Sequence, residues 1–167
     1  MNQNIEWVRE ARAGDSEAFS KLYETIYKEL YKFALYTLKN TYDAEDIVSE
    51  TVIAAWQEIP RLRKEEAFHG WIFRILTNKC KRRLKQYGEK TVQIQEDLLC
   101  EEWDVCQEMD VRKAFFQLSD EERLILSMNL FGGYSSKEIG KELKMKDNTV
   151  RTKQRRALKK MEICLRE

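Results

Sequence analysis

The chain has very few of the residues that interrupt helices or bind metals. Its 167 residues include one proline, Pro60, six glycines and one histidine, His69. No stretch alternates apolar and polar residues between turn signals, as a half-buried strand would. The sequence therefore predicts an all-α fold. It suggests neither a zinc site nor a disulfide framework, because one histidine accompanies four widely spaced cysteines: Cys80, Cys100, Cys106 and Cys164.

Long apolar runs are also missing, and the net charge is close to zero. No window of about 20 residues is free of charge, and residues 1–6 (MNQNIE) show no basic stretch followed by an apolar run. We therefore expect a cytoplasmic protein without membrane insertion. The chain has 30 Lys and Arg against 29 Asp and Glu, a net charge of +1. Such a total does not by itself indicate a nucleic-acid-binding protein.

Three amphipathic helices are predicted in the first half. Apolar residues recur at spacings of three and four from Phe19 to Ala34, after a start at which Asp15 can cap the helix. A second helix is predicted to begin near Asp43, whose side chain would accept from the first-turn amides, and to stop at Pro60. A third runs into a basic segment at residues 79–85. Residues 1–86 are thus predicted to form a three-to-four-helix bundle.

The composition changes after the third helix. Residues 89–110 contain eight acids and one lysine, so we interpret residues 87–107 as an acidic linker and residues 108–167 as a second helical domain. In that domain Ser119 with Glu122, and Ser135 with Glu138, match the capping box that marks a helix start.

The spacing of the last two predicted helices indicates a helix-turn-helix. Residues 136–143, a turn, and residues 149–161 fit the motif, with Gly140 where the helices must approach closely. At 100° per residue, Val150 shares a face with Ala157 and Met161, and Gln154 lies at the edge of that face or reaches DNA. The opposite face suits the major groove, because guanidinium groups pair with guanine edges, unless it is merely a solvated surface. Its members are Arg151, Thr152, Arg155, Arg156 and Lys159.

The third predicted helix has a second basic face. Phe68 and Ile72 are predicted to face the core, and the far side mixes an exposed aromatic with amide, hydroxyl and cationic groups. Such a mixture suits unpaired bases, which stack on aromatics while cations follow the backbone. A tryptophan in a small bundle is, however, more often part of the core. The far side comprises Trp71, Arg74, Thr77, Asn78 and Lys81.

These segments together resemble a known family, the extracytoplasmic-function (ECF) subgroup of bacterial sigma-70-type RNA polymerase sigma factors. Residues 14–19 (GDSEAF) resemble the start of its region 2, and residues 43–51 (DAEDIVSET) its polymerase-binding helix. Residues 68–78 (FHGWIFRILTN) resemble its promoter-melting helix. Residues 118–161 resemble region 4, with residues 149–153 (TVRTK) opening the recognition helix.

The resemblance implies a specificity subunit with no catalytic residue, metal or cofactor. Its partners would be core RNA polymerase, through the beta-prime clamp helices and the beta flap, promoter DNA, and an anti-sigma factor. The clamp-helix contact would fall on Asp46, Ser49, Glu50 and Trp56. Minus-10 DNA would be contacted by Arg61, Arg63, Lys64, Trp71, Arg74, Asn78 and Lys81. Minus-35 DNA would be contacted by Arg151, Thr152, Lys153, Arg155, Arg156 and Lys159.

The chain departs from the family pattern at several positions. Ser49 and Val52 stand where the family often has Gln and Phe, and Arg82 replaces a common acid. Lys144 occupies the turn position that is frequently glycine. It must therefore adopt the left-handed conformation at a cost of roughly 1 kcal/mol, or the turn differs.

Two other functions remain open on the residues alone. A helix-turn-helix regulator could bind duplex DNA without being a polymerase subunit, although the acidic second helix and the aromatic third helix would then have no purpose. A nuclease would need a metal, which Asp43, Glu45, Asp46 and Glu50 could in principle hold. Capping and partner contact explain those acids better, and no phosphate-binding glycine loop is present.

Overall fold

The computed structural model describes residues 2–89 and 105–167, and these contain helices and no strand. The all-α prediction is confirmed. The N-terminal unit consists of α1 (Asn2–Arg12), α2 (Ser16–Leu38), α3 (Thr41–Glu58), two 3-10 turns (Ile59–Arg61 and Glu65–Ala67) and α4 (Phe68–Glu89). The C-terminal unit consists of α5 (Val105–Phe116), α6 (Asp120–Leu130), α7 (Ser136–Leu143) and α8 (Asp147–Arg166). The predicted linker, residues 87–107, lies mostly outside the described residues.

The predicted N-cap residue is correct for α2 and wrong for α3. Asp15 caps α2, accepting from the amides of Glu17 at 2.9 Å and Ala18 at 3.2 Å. Asp43 does not cap α3. The N-cap is Asn40, whose side-chain oxygen accepts from the Asp43 amide at 3.0 Å. Asparagine is as good an N-cap as aspartate, so the helix begins three residues earlier than predicted.

The sequence patterns missed α1. This helix buries Val8 and Ala11, which follow Ile5 at a spacing of three, so the helical period was present in the sequence but short. The Arg12 guanidinium donates to Glu65 at 3.0 Å, which ties α1 to the second 3-10 turn. The backbone amide of Glu65 and the nearby cations Arg12 and Arg9 hold the pKa of its carboxyl below the usual value. The helix therefore positions the loop between α3 and α4.

The core of the N-terminal unit lies between α2, α3 and α4. Phe33 of α2 packs on Phe73 of α4 with ring centroids 6.0 Å apart, and both are fully buried. Residues 33–38 are all buried, so the last turns of α2 are covered on every side. A helix covered all round must have a second neighbour, and that neighbour is the C-terminal unit.

Both predicted capping boxes form in the C-terminal unit. The Ser119 hydroxyl accepts from the Glu122 amide at 3.2 Å, and Glu122 accepts from the Ser119 amide at 3.0 Å. The Ser135 and Glu138 pair repeats this arrangement at 3.2 and 2.7 Å. Lys144 ends α7 in the left-handed conformation, with φ of 56°. The non-glycine turn expected from the sequence is thus present.

Gly140 lies where the turn after α7 folds back on the helix. A Cβ at this position would lie 2.6 Å from the Met145 carbonyl oxygen, which is backbone and cannot turn aside. We expect Gly140→Ala to lower the free energy of unfolding by about 1–3 kcal/mol, as overpacking does. Urea denaturation followed by circular dichroism measures the change.

Gly70 of α4 provides the matched control, because a Cβ there meets nothing within 4 Å. Gly70→Ala should leave stability unchanged or raise it by up to about 1 kcal/mol, the difference in helix propensity. Equal effects of the two substitutions would contradict the close approach at Gly140.

The capping glutamates make the stability of the C-terminal unit dependent on pH. Partial burial alone would raise the pKa of Glu122, but hydrogen bonds from Lys160 and the Ser119 amide hold it below its usual value. The backbone and hydroxyl of Ser135 lower the pKa of Glu138. A lowered carboxyl pKa contributes stability above the unfolded value, which is lost as pH falls through the folded value.

We therefore expect the free energy of unfolding to fall as the pH drops below about 5, near and below the pKa of an unfolded glutamate. The fall should be smaller in a Glu122→Gln/Glu138→Gln double variant. Glu24→Gln/Glu162→Gln removes two exposed acids that cap no helix and should retain the wild-type fall. Identical pH profiles for the two double variants would contradict the assignment.

Candidate polymerase and nucleic-acid interface

The outer face of α3 is a continuous, partly apolar surface. Because α3 buries Ala44, Ile47 and Val48, residues on the opposite side project outward. At 100° per residue they occupy an arc of about 120°. The face comprises Tyr42, Asp46, Ser49, Glu50, Ile53 and Trp56.

Two members of this face, Tyr42 and Ile53, were not predicted. They are 72% and 59% exposed, and Trp56 is 37% exposed with its ring centroid 5.2 Å from that of Phe19. Their spacing of three and four residues from Asp46, Ser49 and Trp56 could have identified them. Exposed apolar side chains grouped with acids are typical of a protein-binding surface.

The acids at the edge of α3 contact the basic end of α4. Glu50 lies 3.8 Å from Lys79 Nζ and 3.9 Å from Arg83 Nη2. The Asp43 carboxylate accepts hydrogen bonds from Arg83 and Tyr87. Among residues 2–89 and 105–167, no group of three or more His, Cys, Asp or Glu side chains is arranged to hold a metal.

The segment between α3 and α4 presents three cations to solvent. Arg61, Arg63 and Lys64 are exposed, while Ile59 and Leu62 anchor the segment in the core. The contact of Glu65 with α1 fixes its far end. The three cations follow one another on a short, anchored loop, which suits contact with a phosphate backbone.

Two residues predicted to be exposed on the outer face of α4 are not exposed. Thr77 is buried and its hydroxyl donates to the Phe73 carbonyl at 2.7 Å, and Trp71 is half-buried beside Phe68. The expectation that both are exposed is wrong, because Trp71 packs on the core and the C-terminal unit covers Thr77. Asn78 is exposed as predicted.

The two cations of this face contact α7. Arg74 Nε lies 3.3 Å from the Glu142 carboxylate, and Lys81 Nζ donates to the Glu142 carbonyl at 3.1 Å. The Arg74 side chain is still 65% exposed. The α4 face is thus partly accessible and partly occupied by the helix-turn-helix.

The predicted rotation of α8 is confirmed. Val150, Ala157 and Met161 are buried. Gln154 is half-buried, at the edge of this face. The outward side chains are Arg151, Thr152, Arg155, Arg156 and Lys159.

Two basic residues of α8, Arg151 and Lys153, contact other side chains of the protein. The Arg151 guanidinium donates to the Ser136 hydroxyl at 3.3 Å and lies 3.2 Å from Asp147, so it is held at the start of the helix. Lys153 is half-buried and paired with Glu121 of α6. Lys153 is therefore held in an ion pair at the protein surface, unlike the outward-facing cations.

Two protein-family models match the chain, one in each helical unit. Sigma-70 region 2 matches residues 22–89, and Sigma-70 region 4 matches residues 108–161. The chain belongs to the sigma-70 family. The region 2 match ends with α4, and the region 4 match covers most of α5 to α8, so the helix-turn-helix belongs to region 4.

Known relatives place this sigma factor in the ECF group. It is 26% identical to the ECF RNA polymerase sigma factor SigM of Mycobacterium tuberculosis over 157 residues, which span 92% of this chain and 80% of the relative. It is 24% identical to the ECF RNA polymerase sigma factor SigW of Bacillus subtilis over 178 aligned positions, 96% and 95% of the two chains. The ECF resemblance inferred from the motifs is confirmed.

Solved structures share the fold of this sigma factor. The sigma factor RpoE of Bartonella quintana, solved with the anti-sigma factor NepR, superposes with a TM-score of 0.73 at 20% identity, covering 89% of this chain and 96% of RpoE. CnrH, solved with the cytosolic domain of CnrY, gives 0.66 at 20% identity, covering 98% and 97%. In the part of this sigma factor that the structure describes, no helix is long and apolar enough to span a bilayer.

Proposed function

We propose that this sigma factor binds core RNA polymerase through α3, reads minus-35 DNA through α8, and binds and opens minus-10 DNA through α4 and the preceding loop. The observation that supports this most strongly is the presence of region 2 and region 4, in order, on one chain. It acts in the cytoplasm as a specificity subunit without a catalytic residue or cofactor.

The proposed polymerase contact is the outer face of α3. Its exposed Ile53 and Trp56 supply apolar area, and Asp46 and Glu50 supply negative charge. Ser49 lies between them on the same face. Such a surface suits a partner helix with apolar and basic side chains, because apolar area provides affinity and charge provides orientation. In the family that partner is the beta-prime clamp helices. The beta flap is proposed to contact region 4.

The proposed minus-35 contact is the outward face of α8. Bidentate guanidinium contacts distinguish guanine in the major groove, and the remaining cations neutralise phosphates. Lys153 can contact DNA only if its ion pair with Glu121 breaks. The proposed contacts are Arg151, Thr152, Lys153, Arg155, Arg156 and Lys159.

Minus-10 DNA is proposed to be opened by differential binding. A surface that binds unpaired bases better than duplex shifts the equilibrium toward the open form without nucleotide hydrolysis. Trp71 must become more accessible than it is here to stack on a base. The proposed contacts are Arg61, Arg63, Lys64, Trp71, Arg74, Asn78 and Lys81.

An anti-sigma factor is proposed as a further partner. RpoE and CnrH, which share the fold, were both solved with a second protein, NepR and CnrY respectively. The exposed apolar side chains of α3 and α8 offer such a protein binding area.

A pull-down with core polymerase tests the proposed docking surface. Ile53→Arg places a cation at the centre of the α3 face without disturbing the core, and should weaken binding at least tenfold, the effect of losing about 1.4 kcal/mol. Asn4→Arg makes the same charge change on exposed α1 and should bind like wild type. Binding of both variants at wild-type strength would contradict the α3 assignment. A wild-type protein that ignores core polymerase but binds duplex DNA would instead be a helix-turn-helix regulator.

A further inference from the structure

The loop that carries three of the proposed minus-10 cations is anchored at two points. It runs from Ile59 to Ala67, with a 3-10 turn at each end, and residues 62–64 lie outside any helix. Leu62 is buried in the core and anchors the middle of the loop. Glu65 contacts α1 and anchors its far end. The exposed cations at positions 63 and 64 lie between these anchors, so their placement depends on both.

The contact between the loop and α1 is an ion pair that is largely shielded from solvent. Arg12 Nη1 lies 3.0 Å from Glu65 Oε1, and Arg9 Nε lies 3.7 Å from the same oxygen. The side chains of Arg12 and Glu65 are 28% and 22% exposed. Salt and water screen such a pair less than a pair between fully exposed side chains. The contact can therefore hold the loop under physiological conditions.

The helix that supplies Arg12 is itself fixed to the bundle. Val8 and Ala11 are buried, and Trp7 packs against the core. After α1 the chain turns directly into α2, and the Asp15 amide donates to the Glu10 carbonyl at 3.1 Å across this turn. The region 2 match begins at residue 22, so it assigns no role to α1. This helix is thus a firm support whose contribution to function the family match leaves open.

A fixed loop and a loose loop differ in what they can recognise on DNA. A cation attracts a phosphate over several ångströms, so phosphate contacts tolerate displacement of the loop. A hydrogen bond to a base edge requires its donor and acceptor to lie about 3 Å apart and to be well aligned. Side chains that read bases must therefore be held in place by their surroundings. Holding the loop should favour sequence selectivity more than overall affinity.

We propose that α1 determines base selectivity at the minus-10 element, because the Arg12–Glu65 ion pair holds the loop between α3 and α4 in place. This inference rests on the proposed function, since it concerns how the same loop reads DNA. Arg12 and Glu65 are positioning residues, and the exposed cations of the loop make the contacts. A role of Glu65 through charge alone predicts the opposite effect, because removing its carboxylate would strengthen the attraction of DNA.

Selection from a pool of random-sequence single-stranded oligonucleotides tests the proposal. The complex of the sigma factor with core polymerase binds the pool, and the bound molecules are sequenced. The wild-type complex should enrich a short motif that core polymerase alone does not enrich. With Glu65→Gln the enrichment of that motif should fall roughly fivefold, whereas the total amount of bound DNA should stay the same or rise.

Glu66→Gln is the matched control, because Glu66 is the next residue of the same 3-10 turn, is exposed and undergoes the same change of charge. It should enrich the wild-type motif to the wild-type extent. Equal losses of enrichment in the two variants would overturn the proposal, as would wild-type enrichment with Glu65→Gln.

A double-mutant cycle tests whether Arg12 acts through Glu65. Arg12→Met should reduce the enrichment as much as Glu65→Gln does, and the double variant should be no worse than either single variant, since all three lack the same contact. Arg12→Lys keeps a cation and should retain more of the enrichment than Arg12→Met. Losses that add in the double variant would overturn the proposal, because the two residues would then act separately.

Hydrogen exchange in the free, full-length sigma factor tests the holding of the loop without polymerase or DNA. The Ala67 amide donates to the Lys64 carbonyl at 3.1 Å and reports on the far end of the loop. Measured by NMR, it should exchange roughly threefold faster in Glu65→Gln than in wild type or Glu66→Gln. Unchanged exchange would overturn the proposal even if the wild-type complex selects a motif. If exchange responds as expected but the wild-type complex selects no motif, the proposed minus-10 contact fails and the support of the loop by α1 remains.

Discussion

Alanine at both Arg151 and Arg155 is expected to weaken the binding of the polymerase complex to promoter duplex roughly a hundredfold or more. Each bidentate contact of a guanidinium with guanine contributes about 1–3 kcal/mol of discrimination, and 1.4 kcal/mol corresponds to a factor of ten. Both side chains face outward from α8, so their removal leaves the core intact. Anisotropy at fixed ionic strength measures the affinity, because phosphate contacts make it depend on salt.

A second double variant controls for the loss of two positive charges. Lys21→Ala/Arg166→Ala removes exposed cations of α2 and the last turn of α8, outside the proposed groove-facing set. It should lower the affinity by much less, and equally for matched and mismatched minus-35 sequences. If the control loses as much affinity and specificity as the Arg151 and Arg155 variant, α8 does not read the promoter as proposed.

Arg123→Met is expected to lower the free energy of unfolding by about 2–5 kcal/mol. The substitution removes the donors to the Thr37 and Leu118 carbonyls, and each buried acceptor left without a donor costs about 1–3 kcal/mol. Methionine fills a similar volume, so the loss measures hydrogen bonding more than packing. Urea denaturation gives the change.

Lysine at the same position should have an intermediate effect, because its single ammonium group cannot reproduce the fork that contacts both carbonyls. Arg156→Met removes an exposed arginine from α8 and should change stability by less than about 0.5 kcal/mol. Wild-type stability of Arg123→Met would show that the buried guanidinium does not hold the two units as described.

The features predicted correctly from the sequence are those that depend on residues close together in the chain. The capping boxes at Ser119 and Ser135 form as predicted, because each needs only a serine and a glutamate three residues later. The faces of α8 follow from a fixed rotation per residue, so its exposed and buried side chains were also predictable. Both features are local.

The errors concern contacts between distant segments. Thr77 was expected in solvent, and it is buried because the C-terminal unit covers it. Asp43 was expected to cap α3, and it instead contacts Arg83 and Tyr87 of α4. The periodicity of one helix shows which side is polar. It does not show which neighbour will cover that side, so the burial of Thr77 by the C-terminal unit could not be predicted from the sequence.

Run-off transcription from genomic fragments, with core polymerase of the same bacterium, tests the proposed function most directly. A set of fragments should give transcripts of defined start only when this sigma factor is added. Those transcripts should be lost with Ile53→Arg, which disrupts the α3 face, and with the Arg151→Ala/Arg155→Ala variant. If no fragment depends on the added protein for initiation, the chain does not direct promoter-specific transcription.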